Sequence, residues 1–358
     1  MKSEIIKDIN FDDVWQKLSI EEKNLCCTRS YGPDGWESFI AWNPMNLYSG
    51  GDIQEFRHFV GSEQIKGNRL FGYLSYDLGY SLFNIQPCAQ DDLKLPRIFF
   101  YSFDRYIKFI EDGIEVIATD ENKLQEYLVQ VRNLLARPEF LQVPNSPTNS
   151  ELIANTSRDV YSNSYKKIKK YITEGDIYQI NLTHRLGGST KKTARQLFFD
   201  MSEKNKVGYI AYIEGAGFEI LSASPERFIK ISADKTIETF PIKGTRPRGM
   251  NPKEDELLKN ELLNSPKEAA ELNMITDLLR NDLGQISEIG SVEVVGSRIA
   301  HPYSTVWHTY SHIKSKVLAN LNSTDALLSM FPGGSITGCP KKRAMEIIDE
   351  LEPAMRGV

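Results

Sequence analysis

The stretch TIETFPIKGTRPRG, Thr236 to Gly249, followed by NSPKEAAELNMITDLLRNDLG, Asn264 to Gly284, decides how the rest of the chain is read. In the first segment Ile237, Thr239, Pro241 and Lys243 share one face of an extended strand until Gly244 interrupts the alternation. Lys243 therefore points the way of partly apolar neighbours. A lysine so placed either snorkels to water or, once desolvated, favours its neutral and nucleophilic form. The second segment carries helix signals at both ends: Ser265 as N-cap, Pro266 at the first helical position, Glu268 closing a capping box and Gly284 after the last turn. Glu271, Met274 and Leu278 recur at i, i+3 and i+7, which puts the Glu271 carboxylate on an otherwise apolar stripe. A carboxylate facing inward needs a cation or a metal as partner.

Upstream, SASPERF, Ser222 to Phe228, sets Glu226 directly after a Ser-Pro step that favours extended or turn geometry. Glu226 is then either a positioned acid or an exposed turn carboxylate. Further upstream, Thr156 and Asp159 read as a capping box for a helix whose Tyr161, Tyr165, Ile168 and Ile172 repeat until Gly175. In DIYQINLTHRL, Asp176 to Leu186, strand alternation puts Gln179, Asn181 and Thr183 on one face. Downstream, FPGGSITGCPKKRAMEIIDELEP, Phe331 to Pro353, is a glycine-rich loop entering a helix with Pro340 in its first turn, so free backbone N–H groups face an anion. It is not a P-loop, because Gly338 is followed by Cys339 and Pro340. His308 and His312 lie in an extended run, where four residues span ~13 Å, too far to share a metal.

The first part of the chain has aromatic and β-branched strands in SFIAWNP, LFGYLSYDLGY and RIFFYSFDRYIKFI. Strands and helices mix without a βαβ beat, which gives an α+β protein. Residues 136–157, with three prolines and three asparagines, read as a linker between an N-terminal region, 1–135, and a second domain, 158–358. Across 358 residues, 43 basic and 48 acidic side chains leave a net charge of −5, which lacks the cationic excess for nucleic acid. No apolar run approaches the ~20 residues of a membrane span. Four cysteines without a CxxC spacing fit a reducing, cytoplasmic setting.

SASPERF, PIKGTRPRG, ELNMITDLLRNDLG, VWHTYSHI and PGGSITGCPKKRAMEIIDELEP stand in the order found in chorismate-utilising enzymes, and the chain resembles their aminodeoxychorismate synthase component I branch over Asp159 to Val358. The resemblance implies an anthranilate synthase component I-like fold, two packed antiparallel sheets with helices outside and the active site in a cleft. It implies chorismate as substrate, ammonia from a separate glutamine amidotransferase subunit, and 4-amino-4-deoxychorismate on the way to folate as product. Lys243 is then a covalent nucleophile, Glu226 the acid and His308 a further catalytic residue. Gln179, Asn181, Gly244, Thr245, Ser335 and Thr337 contact substrate, and Glu271 holds Mg²⁺. Relatives that add water carry a basic lysine where Gln179 stands, and anthranilate-forming relatives usually have alanine where Lys243 stands. The family continues past the helix ending near Pro353, so the chain is expected to lack a C-terminal part of its chorismate-binding domain and to have little activity as it stands. The alternatives are an anthranilate synthase component I and an inactive, truncated remnant.

Overall fold

The computed structural model describes residues 1–31, 35–140 and 151–358, so 141–150 of the expected linker lie outside the described residues. Seven antiparallel strands form the largest sheet, in the spatial order Lys2–Lys7, Gly113–Ala118, Arg105–Ile110, Phe39–Ala41, Cys26–Arg29, Tyr209–Glu214 and Glu219–Ser224. The last two come from beyond the linker, with Ile210 opposite Arg29 and Ile213 opposite Cys26. Composition divides the sequence there; strand pairing runs across the division. One face of this sheet is sealed by Trp15, Phe198 and Tyr212, whose ring centroids lie 4.7 to 5.4 Å apart. Phe198 sits on the helix Ala194–Lys204 and Trp15 on Phe11–Trp15, so helices from both parts of the chain cover one core.

The other face packs on a three-stranded sheet of Asn46–Gly50, Ile98–Phe103 and Arg69–Leu74. Ile98–Phe103 is buried along nearly its whole length, and a strand apolar on both faces needs a layer on each side. A five-stranded sheet holds Lys230–Ile231, Thr236–Thr239, Val306–Lys316 and Ile242–Pro247, with Glu293–Pro302 also paired to Val306–Lys316. The helix Pro266–Ile286 covers it through Ile275, Leu279, Leu283 and Ile286. The α+β class is as read; among the described residues the larger antiparallel sheets have seven, five and three strands, and the aromatic runs divide between the first and the last.

Several local expectations are corrected. Ser157, not Thr156, caps the helix Arg158–Glu174, its hydroxyl accepting from Val160 N–H at 3.2 Å, while Gly175 ends it with φ +84° as read. Helix Pro266–Ile286 runs through Gly284, whose lack of a side chain did not outweigh the burial of Leu283 and Ile286 on either side. Asp176 to Leu186 is not one strand but two short ones, Gln179–Ile180 and Leu186–Gly187, each paired with only two residues. Thr236 to Gly249 is likewise split around Phe240 and Pro241, because a proline supplies no N–H to a ladder.

Phe198 is fully buried against partners from the first 135 residues. Truncation of such a ring costs about 3–5 kcal/mol. Phe198→Ala should therefore lower the whole thermal transition followed by circular dichroism as one step. A variant in which only part of the signal shifts would show that the two parts of the chain melt separately.

Candidate active site

Lys243 is placed by the strand Ile242–Pro247, whose register on Val306–Lys316 slips by one residue between Lys243 and Thr245. The extra residue is Gly244, with φ +82°, and an added Cβ would lie 2.9 Å from Leu262 Cδ1 and 3.1 Å from Glu268 Oε2. Both the backbone conformation and the space demand glycine. The slip leaves Lys243 opposite Thr309, whose hydroxyl donates to the Lys243 carbonyl, and Thr245 opposite His308. His308 Nδ1 lies 3.0 Å from Thr245 Oγ1 and 3.1 Å from the Gly244 carbonyl. A carbonyl only accepts, so this geometry assigns the hydrogen to Nδ1 and leaves Nε2 as the acceptor of the neutral ring. His312, four residues on, is held instead by Glu238 at 2.8 Å and stacks on Phe240.

Glu226 follows the edge strand Glu219–Ser224. Ser224 Oγ accepts from Glu226 N–H at 3.2 Å and donates to its carbonyl at 3.1 Å, a side-chain turn that reverses the chain locally. The carboxylate is thereby turned inward, where burial pushes its pKa up. A hydrogen bond from Ser335, the charge of Lys243 and the Ile242 N–H recover part of that shift, and the net value remains raised. A partly desolvated carboxyl that keeps its proton above the usual range is suited to act as an acid.

Ser335 belongs to the short helical turn Gly334–Thr337, within the loop region between Ser323–Met330 and Lys341–Leu351. Asn181 Nδ2 donates to the Ser335 carbonyl at 2.9 Å and Asn181 N–H to the Thr337 carbonyl at 3.0 Å. Gln179 pairs with Cys339 in register, and its Oε1 is buried without a hydrogen-bond partner among the described residues. An orphaned acceptor invites a donor. Thr337 departs from the expected substrate contact: it is fully buried and its hydroxyl donates to the Gly333 carbonyl at 2.8 Å, so it shapes the loop. An open groove of about 760 Å³, lined in part by Asn181, Ser335, Ile336 and Arg356, adjoins this cluster.

Glu271 is not on the buried stripe of its helix, which is Leu272, Ile275, Thr276, Leu279, Leu283 and Ile286. Its side chain is 40% exposed and lies 3.7 Å from Lys267 Nζ. The flank it occupies is nevertheless informative. Glu268, one turn earlier, reaches Gly244 and, at 3.4 Å, Arg246; Leu278, two turns later, lies against Gly334. Glu271 stands between these contacts on the same side of the helix, so it faces the space between the Lys243 strand and the Ser335 loop. The structure thus brings Glu226, Lys243 and Ser335 together, ties His308 to the two residues after Lys243, and sets Glu271 on the adjoining helix flank. Sequence reasoning missed the ion pair of Asp282 with Lys341 at 2.9 Å. Its signal was present, since Asp282 continues the Glu271 and Leu278 stripe and Lys341 follows Pro340.

The family described as chorismate binding enzyme matches residues 30–358. Aminodeoxychorismate synthase component 1 of Bacillus subtilis (strain 168) is 34% identical over 344 residues, covering 91% of this chain and 73% of that protein. An anthranilate synthase component 1 of Haloarcula marismortui is 32% identical over 356 residues, covering 91% of this chain and 73% of that protein. In fold, the chain is similar to anthranilate synthase component I from Streptococcus pneumoniae TIGR4, with a TM-score of 0.80 at 24% identity, covering 99% of this chain and 86% of that one.

Because the folded pKa of Glu226 is raised, the native state binds more protons than the unfolded one between the usual glutamate value and the raised value. The resulting cost is absent below that window and grows as pH rises through it. Glu226→Gln removes it, so the variant should match the parent's melting temperature near pH 4 and exceed it at pH 7. A difference that does not change with pH would refute the burial assigned to this carboxyl.

Proposed function

The chain belongs to the chorismate-binding enzymes, and from that premise we propose that it catalyses amino transfer from ammonia to chorismate, giving 4-amino-4-deoxychorismate. The observation that carries this reading is the inward-turned Glu226 carboxyl, which takes a hydrogen bond from Ser335 and is acted on by the charge of Lys243. In a partly desolvated pair, moving the proton from the lysine ammonium to the carboxylate removes two opposite charges at once. It also frees the Lys243 amine and loads the Glu226 acid. The amine attacks C2 of chorismate, both ring double bonds shift, and the C4–O bond breaks as the hydroxyl takes the Glu226 proton and leaves as water. Ammonia then attacks C4, both double bonds shift back, and the C2–N bond breaks with its electron pair returning to Lys243. The surplus proton on the new amine returns to the Glu226 carboxylate.

Gln179 has no basic nitrogen with which to activate water, and its orphaned Oε1 is suited to accept from ammonia. His308, with Nε2 as its acceptor, is tied through Nδ1 to Gly244 and Thr245, the two residues after Lys243. For ammonia supply the reading includes a separate glutamine amidotransferase subunit. Burial pushes the Cys26 and Cys27 thiols well up, which suppresses the thiolate a glutaminase nucleophile needs.

Mg²⁺ is part of the same reading. Among the described residues no three His, Cys, Asp or Glu side chains cluster to hold a metal, so a complete protein cage is not present. The half-exposed Glu271 carboxylate, paired with the solvated Lys267, fits the alternative of one protein carboxylate completed by water and substrate. Bound there, the ion would neutralise a carboxylate of chorismate.

The reading is tested by incubating the intact protein with chorismate and Mg²⁺ in the absence of ammonia. A substrate-derived adduct should appear by mass spectrometry on the peptide containing Lys243 and be absent from Lys243→Ala. With ammonia, Glu226→Gln should slow turnover by roughly 10²–10⁴-fold, and Glu271→Gln should raise the Mg²⁺ concentration needed for half-maximal rate. Fluorescent anthranilate as the product, or full activity in Lys243→Ala, would overturn the assignment.

A further inference from the structure

Lys341 is a buried cation that the chemistry above leaves unused. Its side chain is 8% exposed and its Nζ lies 2.9 Å from Asp282 Oδ2, itself on a side chain 11% exposed. The same Nζ donates to the Met330 carbonyl at 2.9 Å. Met330 ends one helix and Lys341 begins another, with the helical turn Gly334–Thr337 and the strand pair of Gly338–Cys339 with Gln179–Ile180 between them, so a single ammonium closes the neck of the 331–340 loop. Asp282 anchors that neck to the helix Pro266–Ile286, which also carries Glu271.

Burying an opposite-charge pair contributes little stability beyond what apolar residues of the same size would give. What it does impose is a fixed geometry. Beyond the packing of Phe331 on Phe228, the loop it closes is threaded by polar ties: Thr337 Oγ1 to the Gly333 carbonyl, and Asn181 to the carbonyls of Ser335 and Thr337. At its apex Gly334 abuts Leu278 so closely that a Cβ would lie 2.4 Å from Leu278 Cδ2. The next residue presents its hydroxyl to Glu226.

We propose that the Asp282–Lys341 pair is a positioning device: by closing the neck of the 331–340 loop it holds the Ser335 hydroxyl against the Glu226 carboxylate. Lys341 touches neither substrate nor reacting atoms and acts through Ser335. The inference rests on the reading in which Glu226 is the acid. The groups facing that carboxyl are Lys243, the Ser335 hydroxyl and the Ile242 N–H, while the adjacent Arg227 turns to the rings of Tyr209 and Phe240. Opening the neck withdraws one donor that stabilises the ionised form, so Glu226 should hold its proton to higher pH.

The test is a ¹³C NMR titration of protein labelled at glutamate Cδ, with the Glu226 signal assigned by Glu226→Gln. Ser335→Ala should move the titration upward by roughly half to one pH unit. Lys341→Met should move it by a similar amount, and the double variant should move it no further than the larger single shift. The acid-side limb of the chorismate-consumption profile should follow in the same direction. Should Lys341→Met fail to fold, Asp282→Asn carries the test with a smaller shift of the same sign. A folded Lys341→Met or Asp282→Asn variant with the parental Glu226 titration, or additive shifts in the double variant, would overturn the proposal and reduce the pair to a structural role. Because the titration needs no substrate, it stands whichever product is formed; loss of the functional reading would appear instead as undiminished turnover in Glu226→Gln.

Discussion

The strand Val306–Lys316 is the constraint on which the site depends. Along one edge it pairs with Glu293–Pro302, and along the other with both Thr236–Thr239 and Ile242–Pro247. Its residues alternate strictly between buried and half-buried, so a one-residue slip would put Ser311 and Ile313 in the groove and Tyr310 and His312 in the core. That register decides everything about Lys243. The break around Pro241 and the slip at Gly244 are accommodated only because a long partner strand holds the pieces on either side, and the Thr309 hydroxyl fixes the Lys243 carbonyl.

The helix Pro266–Ile286 complements that strand. One stripe of it seals the sheet, with Thr276 Oγ1 donating to Ser311 Oγ at 3.0 Å, and the adjoining stripe borders the cleft. Glu268, Glu271, Leu278 and Asp282 lie along that second stripe, so one rigid element sets the spacing between Gly244 at one end and the Ser335 loop toward the other. At ~1.5 Å per residue, the 14 positions from Glu268 to Asp282 span roughly 21 Å. A ligand site so framed is positioned by secondary structure rather than by loops alone.

Glu226 shows how burial and charge are balanced. Desolvation alone would keep the carboxyl protonated and make it a poor proton donor, whereas the charge of Lys243 favours its ionised form. With Lys243 and the Ser335 hydroxyl offsetting part of the effect of burial, the carboxyl's pKa stays raised, which suits it to give up a proton as an acid. The cost of holding a carboxyl in that setting is met elsewhere, in apolar packing such as that around Trp15, Phe198 and Tyr212.

Much was legible in the sequence. The Ser265 cap and the strand character of RIFFYSFDRYIKFI stand as read, because caps and alternation act over a few residues, whereas LFGYLSYDLGY is a strand only to Leu74 and enters a helix at Leu78. Tertiary structure decided the rest. It carried the Tyr209–Glu214 strand across a compositional boundary to pair with Cys26–Arg29, turned Glu271 to a cleft-facing flank rather than the core, enclosed Thr337, and brought Asp282 to Lys341. Each of these depends on contacts between residues far apart in the chain. Local preference fixes which way a side chain points relative to its own backbone, but what lies in that direction is set only when the sheets and helices pack.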